Sequence, residues 1–219
     1  MPVIAIDGPS GSGKSTVAAC LAARLGVPWL SSGALYRAVT RLTLDRLGAE
    51  APAAQVSALV RSVQWELTGA AVRADDRDLT ASLHSAEVDR HVVQVSSIPG
   101  VRRALNRLLR GTVGAGRWVV EGRDIGTEVF PEAVLKVYLD AEPVVRAERR
   151  ALQHHSADSA SAVAQVAASL AERDLRDRRK PVGALRPAAD AQRIDTSHLT
   201  VPEVCANLLY IVPSDFLPE

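Results

Sequence analysis

The chain has 219 residues, 47% of them hydrophobic and 23% charged, with a formal net charge of +1. That balance suits one large globular domain or a core with an insertion, and it excludes a global field that would draw the chain onto nucleic acid or an anionic membrane. An aromatic content of 4% argues against a base-stacking platform for single strands.

VIAID (3–7) is a short apolar strand that runs into a glycine-rich turn. Residues 15–26 then have helical apolar spacing, with Gly26 as a stop and Pro28 just beyond. VPWL (27–30) is a second strand candidate, and 32–48 reads as a helix. VQWEL (63–67) and AAVRA (70–74) flank Thr68-Gly69, a hairpin signal. Two helices are expected over 86–95 and 101–111, broken by Pro99-Gly100. WVVEG (118–122) and VLKVYLD (134–140) look like fully buried strands, each followed by a turn and a helix. Helices are expected at 143–154 and 160–176, a last strand at 193–197 and a closing helix at 202–212, with the Ala/Ser stretch 156–171 helix-compatible.

The expected fold is therefore α/β: a core over 1–49 and 113–219 with a parallel sheet flanked by helices, interrupted by an insertion over 50–112. No stretch approaches the length of a membrane span, and the N-terminus lacks the pattern of a signal peptide, so a cytoplasmic address is expected. Cys20 and Cys205 have no CxxC spacing and no nearby His cluster, and read as two buried, reduced thiols.

GPSGSGKS (Gly8, Pro9, Ser10, Gly11, Ser12, Gly13, Lys14, Ser15) matches G-x-x-x-x-G-K-[ST] in full, between a strand and a helix. Its backbone N–H groups and the helix N-terminus suit phosphates, with Thr16 continuing the helix start. Lys14 can reach the β- and γ-phosphates and the Ser15 hydroxyl can face Mg²⁺, so ATP and Mg²⁺ are the expected cofactors. A glycine-rich turn that binds nothing is the plainer alternative. A GTPase would add Asn-Lys-x-Asp, but the only asparagines, Asn106 and Asn207, precede Arg107 and Leu208. A motor ATPase would carry a paired DE after a core strand, where only Glu121 is found, followed by glycine. Small-molecule kinases remain.

Ser32 and Gly33 make a helix start with Arg37 about one turn further in, a combination that suits a monophosphate as well as an ordinary N-cap. VRRALNRLLR carries Arg102, Arg103, Arg107 and Arg110, most of which should be a solvated face. ERDLRDRRK (172–180) offers the pairs Arg173–Asp177 and Asp174–Arg178 at i,i+4, as a surface helix would. Arg146, Arg149 and Arg150 form a third basic group. At the end of WVVEG stand Arg123 and Asp124, either a satisfied ion pair or two readers of a ligand.

GPSGSGKST, SSGALYR, the VRRAL segment, EGRDIGTEVFP and ERDLRDR together resemble the bacterial cytidylate kinases, nucleoside monophosphate kinases, over essentially the whole chain. The resemblance implies a P-loop kinase core with an inserted acceptor-binding region over 50–112 and a short Arg-rich lid at about 150–190. The activity it implies is γ-phosphoryl transfer from ATP to CMP or dCMP, with Mg²⁺, by a monomer; on charge and composition neither nucleic acid nor membrane is expected as a partner. It implies that Ser32, Gly33, Arg37 and Arg123 hold the acceptor phosphate, that Arg102 and Asp124 face cytosine, and that Arg173 and Asp177 approach the sugar. Lys14, Arg149, Arg173 and Arg178 would carry charge in the transfer. Three positions depart from the family: Ser31 where aspartate is common, Val93 in place of a serine that touches the base, and Lys180 in place of an arginine. A lysine does not repeat a bidentate guanidinium contact. Two rivals stay open: a kinase for another acceptor such as UMP or a small hydroxy acid, and an ATP-binding regulator that uses the basic helices as a contact surface.

Overall fold

The computed structural model describes residues 2–153 and 159–217; residues 154–158, inside the expected lid, helix end and Ala/Ser stretch, lie outside them. Five parallel strands make the main sheet: β1 (Val3–Asp7), β2 (Trp29–Ser31), β6 (Trp118–Gly122), β7 (Leu135–Asp140) and β8 (Gln192–Asp195). Their order is β2-β6-β1-β7-β8, so the first strand sits at the centre. All five residues of β1 are buried, as a strand covered on both faces must be.

Alternation along β1 splits the core in two. Ile4 and Ile6 face a cluster with Leu21, Leu25, Val137, Leu208 and Phe216, contributed partly by α1 (Lys14–Leu25) and α8 (Val201–Ile211). Val3 and Ala5 face the other cluster, with Leu35, Val39 and Leu42 of α2 (Ser32–Arg46). That second cluster continues without interruption into the insertion through Val60, Val72, Leu79, Val92 and Leu105.

The insertion comprises α3 (Ala53–Ser62), the antiparallel strands β3 (Trp65–Thr68), β4 (Ala71–Ala74) and β5 (Arg77–Asp78), then α4 (Ala86–Ser96) and α5 (Pro99–Val113). Its hairpin turn hooks onto the edge strand: Gly69 N donates to Trp29 O at 3.1 Å, and Ser31 N donates to Gly69 O at 2.9 Å. Pro99 and Gly100 lie inside the first turn of α5, where a missing N–H costs nothing, and the break falls before Pro99, at Ser97-Ile98. Beyond the core strands, α6 (Pro143–Gln153) and α7 (Ala160–Arg179) carry the arginine-rich segments. No described helix is long and apolar enough to cross a membrane. Cys205 is buried and Cys20 half-buried; both are free thiols.

Candidate active site

Parallel pairing brings the strand C-termini to one edge, which is where ligands bind in open α/β sheets. Asp7 stands opposite Gly122, and Glu121 lies between Ile6 and Ser31. The P-loop leaves β1 and enters α1 at Lys14. Gly11 adopts φ +81°, and a Cβ there would sit 2.7 Å from Arg146 O, so no other residue fits. Ser12 Oγ donates to Pro9 O at 3.0 Å, and Lys14 Nζ donates to the same oxygen at 2.6 Å. Burial, reinforced by Arg123, pulls the Lys14 ammonium down to about 7, with Glu121, Asp7 and Asp174 opposing.

Ser15 Oγ donates to Glu121 Oε1 at 2.9 Å, and Ser31 Oγ donates to that same oxygen. Among the described residues no group of three or more His, Cys, Asp or Glu side chains is placed to hold a metal ion. One hydroxyl beside one buried carboxylate instead suits a hard cation that keeps water and takes phosphate oxygens. Asp7 does something different. Its Oδ1 accepts from Ile125 N and its Oδ2 from Gly126 N, both at 2.8 Å, at the start of a π-helical turn over Ile125–Val129. Burial pushes its carboxyl up to about 7 against those two donors.

At the other end of the site, α2 begins at Ser32 and is capped by Ser31 Oγ, which accepts from Ala34 N at 3.1 Å. Arg37 donates to Leu83 O at 2.8 Å and to Asp89 Oδ1 at 2.5 Å. Arg102 of α5 pairs with Asp124 Oδ2, both side chains 5% exposed, and donates to Ser96 O at 3.4 Å. Gly183, at φ +68°, lies so close to the Arg102 guanidinium that a Cβ would overlap it. Arg123 points away from Asp124: its Nε meets Asp177 Oδ2 at 3.3 Å and its NH1 donates to Gly8 O at 3.1 Å. The two charged neighbours of EGRDIG are thus each paired, but not with one another. Lys180 Nζ joins Asp177 Oδ1 at 2.8 Å to Ser96 Oγ at 2.9 Å.

One cavity of about 840 Å³ takes in Ser10–Thr16 at one end and Ser32, Gly33, Arg37, Arg102, Arg123 and Asp124 at the other. Arg149, Arg173, Asp177, Lys180 and Val93 also line it. Gly8 and Pro9 are buried beneath the loop, outside the lining. Arg178, expected to carry charge in the transfer, is exposed and does not line the cavity, because the helix turns that position away from it. The i,i+4 pairs expected along α7 give way to longer-range ones: Asp174 meets Arg146 at 2.6 Å, Asp177 meets Arg123, and Arg173 reaches Asp89 at 3.5 Å. Arg149 is held on the P-loop side, donating to Thr196 Oγ1 at 3.0 Å and Thr196 O at 2.6 Å. Asp7, Ser96 and Asp89 were not singled out from the sequence. Asp89 sits in the first turn of a helix, where an acid is expected for the dipole alone.

Comparison with known proteins adds an independent line. The family model described as cytidylate kinase matches residues 4–214. The chain is 44% identical to the cytidylate kinase of Thermus thermophilus over 94% of its own length and 96% of that protein. It is 42% identical to the cytidylate kinase of Nocardia farcinica, covering 96% and 93% of the two chains. A bifunctional pantoate ligase/cytidylate kinase of Synechococcus sp. is 42% identical over 93% of this chain, which spans only 39% of that longer protein. Among solved structures, an uncharacterized protein from Eubacterium ventriosum shares the fold, with a TM-score of 0.53 at 12% identity over 98% of this chain and 99% of that one.

Proposed function

The chain belongs to the cytidylate kinase family, and we propose that it transfers the γ-phosphoryl group of ATP to CMP or dCMP, giving CDP or dCDP. The single observation that carries this reading is the shared cavity, which joins a complete P-loop to a buried arginine–carboxylate pair and to Ser32, Gly33 and Arg37 at the start of α2. In this reading Gly8–Thr16 hold the donor phosphates, and Ser32, Gly33, Arg37 and Arg123 hold the acceptor phosphate. Arg102 and Asp124 face the cytosine, and Arg173 with Asp177 faces the sugar. Residues 50–112 serve as the acceptor-binding region and about 150–190 as the lid, on the core 1–49 and 113–219. The protein acts as a cytoplasmic monomer.

The attacking group is a phosphate oxygen, anionic at neutral pH, so no strong general base is required. The protein's work is positioning and charge. Ser15, with Glu121 through water, would hold Mg²⁺, which would neutralise donor-phosphate charge. Lys14 and Arg149, both at the P-loop side, face the oxygens on which charge accumulates. Arg102 occupies Oδ2 of Asp124; Oδ1 is the oxygen that accepts from the exocyclic amine of cytosine. Uracil presents a carbonyl there and is repelled.

The test is incubation of the protein with ATP, Mg²⁺ and each nucleoside monophosphate separately, following diphosphate formation. CMP and dCMP are expected to be converted and UMP far more slowly. Conversion of UMP as fast as CMP would overturn the base assignment, and conversion of none would overturn the reading.

A further inference from the structure

Among the described residues Asp89 is the one carboxylate that Arg37, Arg150 and Arg173 all pair with. Its Oδ1 lies 2.5 Å from Arg37, 3.4 Å from Arg150 and 3.5 Å from Arg173. The three arginines come from three elements, α2, α6 and α7, and all three line the cavity, whereas Asp89 does not. It therefore stands behind them. Among the described residues Arg37 otherwise bonds only a backbone carbonyl, that of Leu83, and the Nε of Arg173 is buried without a hydrogen-bond partner. Although burial opposes it, Arg37, Arg150 and Arg173 hold Asp89 below the usual carboxylate range. One negative charge thus faces three positive ones, so the group keeps an excess of positive charge toward the cavity.

Three guanidiniums confined this closely repel one another, and without an anion between their roots they would separate into water. A guanidinium has five N–H donors in a fixed fork, so binding a carboxylate at its rear leaves donors free at its front. We propose that Asp89 is a positioning residue, which gathers Arg37, Arg150 and Arg173 into one receptor for the phosphate of the acceptor nucleotide. The inference rests on the functional reading above. It makes an insertion residue the anchor of α6 and α7, gives Arg150 a place on the acceptor phosphate, and extends the reach of Arg173 from the sugar to that phosphate.

The experiment compares the parent with Asp89→Asn and Asp89→Glu, measuring kcat, KM for CMP, KM for ATP and melting temperature. Asp89→Asn keeps the shape but removes the charge. It should raise KM for CMP about tenfold to a hundredfold, since charge-assisted contacts are involved. KM for ATP should stay within about twofold, and Asp89→Glu should restore most of the loss. An unchanged KM for CMP overturns the proposal. So does a lower one, which would make Asp89 a competitor of the phosphate. An equal rise in both KM values with a lower melting temperature would make the role structural. Should Asp89→Asn not fold, Arg150→Lys keeps the charge and loses the fork, and a KM for CMP equal to the parent's would overturn the receptor. Calorimetric titration with inorganic sulfate separates this from a failure of the functional reading. If no monophosphate is phosphorylated but the parent binds sulfate more tightly than Asp89→Asn does, the receptor stands and the acceptor was misassigned. Absence of sulfate binding by the parent overturns the receptor as well.

Discussion

The two ends of the cavity are built in opposite ways. The P-loop end is a run of consecutive residues, Gly8–Ser15, whose backbone is shaped by its own glycines and by two side-chain bonds to Pro9 O, from Ser12 and Lys14. The acceptor end is assembled from side chains of α2, α4, α5, the end of β6 and α7, joined by ion pairs across 22 to 84 residues of sequence. Side chains from far along the chain meet the P-loop at its backbone oxygens: Arg123 at Gly8 O, Arg146 at Ser10 O and Thr196 at Ser12 O. A side-chain assembly like the acceptor end fails wherever one charge is removed, because a buried partner is left unpaired.

The largest expected effect breaks the P-loop end without touching the acceptor end. Lys14→Ala should lower kcat about 10²- to 10³-fold, the usual loss for one electrostatic donor, while KM for CMP and melting temperature stay near the parent's. A turnover equal to the parent's would remove the P-loop lysine from the mechanism.

Arg37→Ala breaks the acceptor end alone. Loss of a charge-assisted contact of about 1.5–3 kcal/mol should weaken CMP binding roughly tenfold to a hundredfold and leave ATP binding nearly intact. An equal loss for both nucleotides, read by calorimetry, would erase the division between the two ends.

Asp124→Asn sharpens the comparison within the acceptor end. The amide offers a donor or an acceptor to the base, so the ratio of kcat/KM for CMP over UMP should fall about fivefold to a hundredfold. Arg102 is left in place with its charge unpaired, so a lower melting temperature is expected too. A drop in stability with an unchanged ratio would reduce the pair to a structural one.

The smallest effect is a proton count. Lys14 titrates at about 7 because it is buried, and Asp7 at about 7 for the same reason. Bound polyphosphate favours the charged lysine and disfavours the charged aspartate, so both values rise and protons are taken up on ATP binding. The binding enthalpy measured near pH 7.5 should vary with the ionisation enthalpy of the buffer in the direction of uptake, and ATP affinity should weaken as pH climbs above 7. Lys14→Met should remove most of that uptake. Proton release would contradict the burial of Lys14 in the free protein.

The same division explains what could be read in the sequence. The P-loop, the core strands and the helix starting at Ser32 were legible because each is fixed by residues a few positions apart. The helix Ala53–Ser62 was not, since only Val56, Ser57 and Val60 of its ten residues are buried and its remaining residues, Leu59 apart, are small or polar. Asp89 was illegible for a different reason. Its partner Arg37 lies 52 residues away, and an ion pair across that span leaves no periodic trace. Arg178 misled because a dense basic run hides which of its faces turns inward. Arg123 and Asp124 were correctly marked as a pair to question, but only the fold shows that one looks toward Gly8 and the other toward Arg102.

Asp7 closes the gap between the two ends. It is the last residue of the central strand and the one before the P-loop, and both of its oxygens grip amide hydrogens of the turn that carries Asp124. The P-loop and the turn that follows Asp124 thus share a single datum, and a displacement of one is handed to the other over two short bonds. In-line transfer tolerates little error in the distance between attacking oxygen and phosphorus. By fixing that spacing at the end of the central strand, the fold sets it without recourse to the arginine-bearing helices α6 and α7.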